Sequence, residues 1–92
     1  VYLISDGRYT KVGYCSSSPF KRLGEIQVGN PEPLFVAGVM PGDKDNEEFC
    51  RNKLKKAGFP KKNGEWLKGN PARMIQVLDN QGFKVFSNVE NN

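Results

Sequence analysis

Apolar and polar residues alternate with a period of two through the first thirteen positions, the pattern of a half-buried strand pair. Val1-Tyr2-Leu3-Ile4-Ser5 and Arg8-Tyr9-Thr10-Lys11-Val12-Gly13 flank Asp6-Gly7, a dipeptide that favours a two-residue hairpin turn. A tight turn there sets Ser5 opposite Arg8, Ile4 opposite Tyr9 and Tyr2 opposite Lys11. Alternation then places Val1, Leu3, Thr10 and Val12 on one face and Tyr2, Ile4, Tyr9 and Lys11 on the other. Cross-strand packing is the plain role for the two tyrosines, but sharing a face with an ammonium also makes them candidates for chemistry.

Beyond Ser16-Ser17-Ser18 the period lengthens to that of helices. Ser18 before Pro19 predicts an N-cap with proline at the first helical position, and Gly29-Asn30-Pro31 stops that helix after about Val28. Phe20, Leu23 and Ile26 form its apolar stripe, and Arg22 sits on the border, placed to lean over a site beside the core. Leu34–Met40 reads as a buried strand closed by Pro41-Gly42-Asp43. Asp45 and Glu48 have capping-box spacing, which predicts a second helix from about Asn46 to Gly58 with Cys50, Leu54 and Ala57 inward and Phe49 on the flank. On that wheel Glu47 falls about 20° from Leu54, so its carboxylate turns inward, where a charge needs a partner. A basic loop from Phe59 to Gly64 precedes Glu65-Trp66-Leu67, with Trp66 expected to cap the core. Asn70-Pro71 opens a third helix with Met74, Ile75, Val77 and Leu78 inward, stopped by Gly82. Phe83–Phe86 adds a short final strand or packs as a tail, and residues 89–92 are expected to fray. The pattern as a whole predicts an α/β chain of the α+β kind, one domain over residues 1–88. Its sheet would have three mainly antiparallel strands, the hairpin plus one, flanked by about three helices.

Composition narrows the chemistry. The 92 residues are 37% hydrophobic and 26% charged, the balance of a globular chain with one core. The longest apolar stretch is too short to cross a bilayer, and Val1 opens directly on a strand with no signal-peptide pattern in this segment, so a cytoplasmic location is expected. A start without methionine fits a domain of a larger chain, expected to be monomeric. Histidine is absent, which removes Ser-His-Asp and Cys-His catalysis, His-ligated zinc and any histidine general base. Cys15 and Cys50 are too few and too far apart for a disulfide scaffold or a CxxC site, and reduced thiols are expected. Any catalysis falls to carboxylates, Tyr, Lys, Arg and a hard metal ion.

Charge is unevenly placed. From Arg51 to Lys68 seven basic residues stand against one acid, a net +6 within a chain whose total is +4. Lys53, Lys55, Lys56, Lys61, Lys62 and Lys68 thereby form a candidate polyanion-binding face, for nucleic acid before membrane. Lysines that serve only solubility give the same pattern.

The order of hairpin, helix with Arg, strand, and helix with inward Glu resembles the GIY-YIG nuclease superfamily, in particular its phage-and-virus branch whose second signature is Lys-hydrophobic-Gly. The segments that carry the resemblance are Val1-Tyr2-Leu3, Lys11-Val12-Gly13, Lys21-Arg22-Leu23-Gly24-Glu25-Ile26-Gln27 with its trailing Gly29-Asn30-Pro31, Glu47 with Cys50, Arg51 and Leu54, and Gly64-Glu65-Trp66-Leu67. Together they span roughly residues 1–68. The resemblance implies that Tyr2 positions or activates the attacking water, that Arg22 holds the scissile phosphate, and that Glu47 is the single acidic ligand of a divalent ion, Mg2+ or Mn2+. Lys11 stands where better-known members carry a second tyrosine, so either Tyr9 fills that phenol role or the lysine supplies charge to the phosphate. Asn63 is the candidate for the late asparagine that supports the site in such nucleases. The implied activity is metal-dependent endonucleolytic hydrolysis of DNA, with RNA as the other polymer. The alternative is a nuclease-like module that binds nucleic acid without cutting it.

Overall fold

Alternation in the N-terminal segment folds as a hairpin of β1 (Tyr2–Ser5) and β2 (Tyr9–Gly13) in the computed structural model, which describes residues 1–88. The register differs from the one that Asp6-Gly7 predicts. Tyr2 pairs with Gly13, Leu3 with Val12, Ile4 with Lys11 and Ser5 with Thr10. The two central turn residues are Gly7 and Arg8, with Gly7 at φ +97°, the glycine-first arrangement of a type II′ turn. Asp6 lies outside the turn because its side chain caps it: Oδ1 accepts from the Arg8 and Tyr9 amides, both at 2.8 Å, and the Asp6 amide donates to the Tyr9 carbonyl. A slip of two residues preserves the parity of the side chains, so the two faces are composed as alternation predicts.

Helix α1 (Pro19–Gln27) starts as predicted, with the Ser18 hydroxyl accepting from the Phe20 amide and proline at the first helical position. Strand β3 (Phe35–Val39) pairs antiparallel with β1 through a bulge opposite Leu3 and Ile4. Helix α2 (Lys44–Lys56) begins earlier than the Asp45–Glu48 spacing predicts. Asp43 is the N-cap and Asn46 its reciprocal partner, an Asp/Asn capping box that a search for Glu or Gln at the third position passes over. The helix buries Glu47, Cys50 and Leu54, whereas Ala57 is exposed.

The predicted basic loop is instead a second hairpin, β4 (Lys61–Asn63) and β5 (Trp66–Lys68). β5 pairs with β2, setting Tyr9 opposite Lys68 and Lys11 opposite Trp66. Leu67 occupies the core position expected of Trp66, which is only half-buried. Helix α3 (Pro71–Asn80) is capped by Asn70 and buries Pro71, Met74, Ile75 and Leu78; β6 (Phe86–Ser87) then pairs with β3. The sheet therefore has six antiparallel strands in the order β4-β5-β2-β1-β3-β6, not three. The α+β class stands. The expected fray at 89–92 lies outside the described residues.

Two apolar layers flank the sheet. On one face Leu3, Val12, Ala37 and Leu67 pack with Cys50 and Leu54 of α2 and Met74, Ile75 and Leu78 of α3. On the other, Tyr2, Ile4 and Val36 lie against Leu23 and Ile26 of α1. Phe20, predicted in that stripe, is 61% exposed, and α1 has no fully buried residue. Among the described residues no helix is long and apolar enough to cross a membrane.

Candidate active site

Tyr2 owes its position to Gly13. The two residues pair directly, and a Cβ at position 13 would stand 2.3 Å from both Cζ and Oη of the Tyr2 ring. The absence of a side chain is therefore what admits the phenol, which is 1% exposed. Burial raises the phenol's pKa above its ordinary value of 10.0, and the facing Arg22 guanidinium opposes the rise. Arg22 is in turn held more firmly protonated, first by Tyr2 and then by Glu25, its ion-pair partner one helical turn away at 3.3 Å. The phenol and the guanidinium, 20 residues apart in sequence, thus meet on the α1 face of the sheet.

Lys11 shares that face but pairs two residues further along β1 than the Asp6-Gly7 turn predicts, opposite Ile4, with Trp66 on its other side. Its ammonium pairs with Glu65 at 3.4 Å, and the Val12 amide donates to the Glu65 carbonyl at 3.3 Å. Lys11-Val12-Gly13 and Gly64-Glu65-Trp66-Leu67, more than fifty residues apart, lie side by side.

Glu47 is 3% exposed, turned inward as the helical wheel predicts. It lies under α2, on the opposite layer from Tyr2, and its partner is Arg51 one turn on, bonded to Glu47 Oε1. Arg51 also donates to the Val12 carbonyl at 3.4 Å. The two half-sites therefore abut at the end of β2: Arg51 of the carboxylate half reaches Val12, and the phenol of the other half rests on Gly13. The Arg51 bond leaves Glu47 Oε2 as the candidate ligand of a divalent ion, and a magnesium ion that keeps most of its waters needs only one or two carboxylates. Arg51 was legible as part of the basic block and of the acidic-helix segment, but not as the partner of Glu47, although its spacing of four is that of a helical ion pair.

Tyr9 and Asn63 lie elsewhere. Tyr9 is four residues from Gly13, about 13 Å along the strand, so it does not supply a second phenol beside Tyr2. It lines, with Asn63, an open pocket of about 390 Å³ over the outer half of the same sheet face. Lys62 and Trp66 complete the strand wall, Asp6 and Arg8 come from the hairpin turn, and residues 30–32 close the far side. Lys62 Nζ stands 3.7 Å from the centre of the Tyr9 ring, a cation–π contact. Gln27, part of the helix motif but given no role by the sequence, ties the far wall down. Its Nε2 donates to the carbonyls of Asn30 (3.2 Å) and Glu32 (2.9 Å), and its Oε1 accepts from the Leu34 amide at 2.8 Å.

No protein-family model, curated protein or solved structure matches the chain.

Of the basic block, Lys55, Lys56, Lys61, Lys62 and Lys68 are exposed, and Lys53 is half-buried with its ammonium 5.2 Å from the Phe49 ring centre. Lys68 pairs with Tyr9 and so shares the face of Lys11 and Tyr2, whereas Lys53, Lys55 and Lys56 ride on α2. The two cysteines are free; Cys50 is buried, which pushes its thiol up to about 11, and Cys15 is half-buried.

Proposed function

We propose that the chain is a metal-dependent endonuclease domain that hydrolyses phosphodiester bonds in DNA, similar in its motifs to GIY-YIG nucleases. The observation that carries the reading is the pairing of the buried Tyr2 phenol with the Arg22 guanidinium at Gly13, next to the strand position that Arg51 ties to Glu47. Arg22, about two-fifths exposed, is free to meet a phosphate and stabilise charge developing on it. A phenol whose pKa is raised stays protonated near neutrality, which suits it to orient a water rather than to remove its proton. A divalent ion at Glu47 would supply Lewis-acid stabilisation and an activated water. Lys11, paired with Glu65, adds positive charge on the phosphate side of the sheet.

Nicking of supercoiled plasmid with Mg2+ tests the proposal. Arg22→Ala is expected to slow nicking by about 100-fold or more, and Glu47→Ala to abolish the Mg2+-stimulated nicking. Variants that nick as fast as the parent overturn the assignments.

One observation favours the second reading, a domain that binds nucleic acid without cutting. Glu47 already has Arg51 as its counter-charge, which a metal ion would have to displace or tolerate. Binding that persists in EDTA and falls with salt, with no product under any divalent ion, supports this reading over the first.

A further inference from the structure

The pocket beside Tyr9 takes no part in the phosphate chemistry proposed above, yet it combines features that converge on one class of ligand. Tyr9 and Trp66 stand on neighbouring strands as a diagonal pair, since Tyr9 faces Lys68 and Trp66 faces Lys11. Diagonal neighbours are about 7–8 Å apart, roughly twice the stacking rise of about 3.4 Å in nucleic acid. Aromatic side chains rising from the sheet at that spacing are far enough apart to admit one base, with Lys62 covering one face of the Tyr9 ring. The cavity, about 390 Å³, is at the lower end of the roughly 300–1,000 Å³ typical of small-ligand sites. That is room for one nucleoside rather than a run of them.

The rim is polar and of both signs. Lys62, held on the Tyr9 ring, supplies the cation for a backbone phosphate. Glu32 lines the opposite wall, with Asn30 beside it. Asn30 is committed to its loop, its Oδ1 accepting from the Glu32 amide at 3.0 Å while Gln27 holds both backbone carbonyls. The wall is thus organised before any ligand arrives, and its carboxylate is an acceptor waiting for a donor. Among the bases, cytosine and adenine present an exocyclic amino donor at the edge where thymine presents a carbonyl.

The geometry points to a nucleobase-binding pocket: one unpaired base stacks between Trp66 and Tyr9, and Glu32 selects an amino-bearing base over thymine. The inference rests on the nuclease reading only for the polymer, DNA. It gives Tyr9 and Asn63 a role in base binding rather than in the reaction.

Trp66 is the sole tryptophan of the chain and reports directly on its own pocket. The experiment is titration of its fluorescence, in EDTA, with the single-stranded hexamers (dC)6, (dA)6 and (dT)6. Saturable quenching is expected, with (dC)6 and (dA)6 binding about tenfold more tightly than (dT)6, the scale of one good polar contact to a base edge. Glu32→Ala, at an exposed loop position, removes the acceptor and is expected to erase that preference without weakening quenching by (dT)6. Tyr9→Ala is expected to weaken all three hexamers by about tenfold, as loss of one stacking partner does. Quenching that does not saturate, or a Glu32→Ala variant with the parent's preference, overturns the proposal. Plasmid nicking read on the same preparations separates the two readings. Loss of quenching with nicking intact sinks the pocket alone, and quenching without nicking sinks the nuclease alone.

Discussion

Gly13→Ala is the most informative single substitution because two physical effects predict opposite signs for it. Gly13 has no left-handed φ, so alanine is permitted by the backbone. At such a position Gly→Ala ordinarily stabilises by about 0.4–1 kcal/mol, through the reduced entropy of the unfolded chain. Here the added methyl would stand 2.3 Å from Cζ and Oη and 2.7 Å from Cε1 of Tyr2. The far end of a side chain usually yields cheaply, but this ring is 1% exposed and packed beside Ile4 and Val36 under α1. Overpacking of that kind costs about 1–3 kcal/mol, so the net effect is a loss of roughly 0–2.6 kcal/mol once the entropic gain is subtracted. In urea, with m near 1 kcal/mol/M for a chain of this size, the midpoint falls by up to about 2.6 M. Tyr2→Leu removes the ring, and in the double variant the alanine should cost little or become favourable, a coupling of about 1–3 kcal/mol. Nicking by Gly13→Ala should fall together with that by Tyr2→Phe, since the displaced phenol leaves Arg22. A Gly13→Ala protein more stable than the parent, with no coupling to Tyr2, refutes the contact and the site geometry built on it.

Other outcomes follow from the same contacts. Arg51→Met strands the Glu47 carboxylate in the interior and is expected to cost about 3–5 kcal/mol in urea denaturation, most of it regained in the Glu47→Gln/Arg51→Met pair. Burial holds the proton on Cys50 up to about 11, and on Tyr2 above its ordinary 10.0, whereas the unfolded chain releases the thiol proton near 9. The folded state then binds more protons than the unfolded one, so stability present below pH 9 is lost as the pH rises to about 11. The stability difference between the parent and Cys50→Ala should shrink over that window, and a constant difference contradicts the assignment. A thiol reagent at neutral pH should modify Cys15 in the native protein and reach Cys50 only after unfolding, read by peptide mapping.

The elements legible in the sequence were those whose signals are local. Ser18-Pro19 and Asn70-Pro71 each combine a side-chain cap with a proline that needs no donor, and both helices begin there. The inward turn of Glu47 followed from the helical period alone. What escaped depends on partners distant in sequence. β4 and β5 are three residues each, and Lys61-Lys62-Asn63 is wholly exposed, so no alternation marks them. They are strands because β2 offers them an edge. The hairpin register failed for a different reason: the Asp6 carboxylate makes the same bonds at the turn's entry that a central Asp-Gly dipeptide would otherwise explain. At the candidate site, Tyr2 and Lys11 were legible as members of one face and Arg22 as a border residue placed to lean over a site, but the role of Gly13 as the space beneath the phenol required the packing itself.

The helices are anchored unequally. α2 buries Glu47, Cys50 and Leu54, and α3 buries Pro71, Met74, Ile75 and Leu78, whereas α1 rests on half-buried Leu23 and Ile26 and has a glycine at its centre. Local opening is cheapest where apolar burial is least, so α1 is expected to exchange its amide hydrogens before the other two helices do. Arg22 rides on that helix. The guanidinium that faces the phenol is thus carried by the most lightly anchored of the three helices, and on the proposed reading a phosphate bound there would stiffen α1.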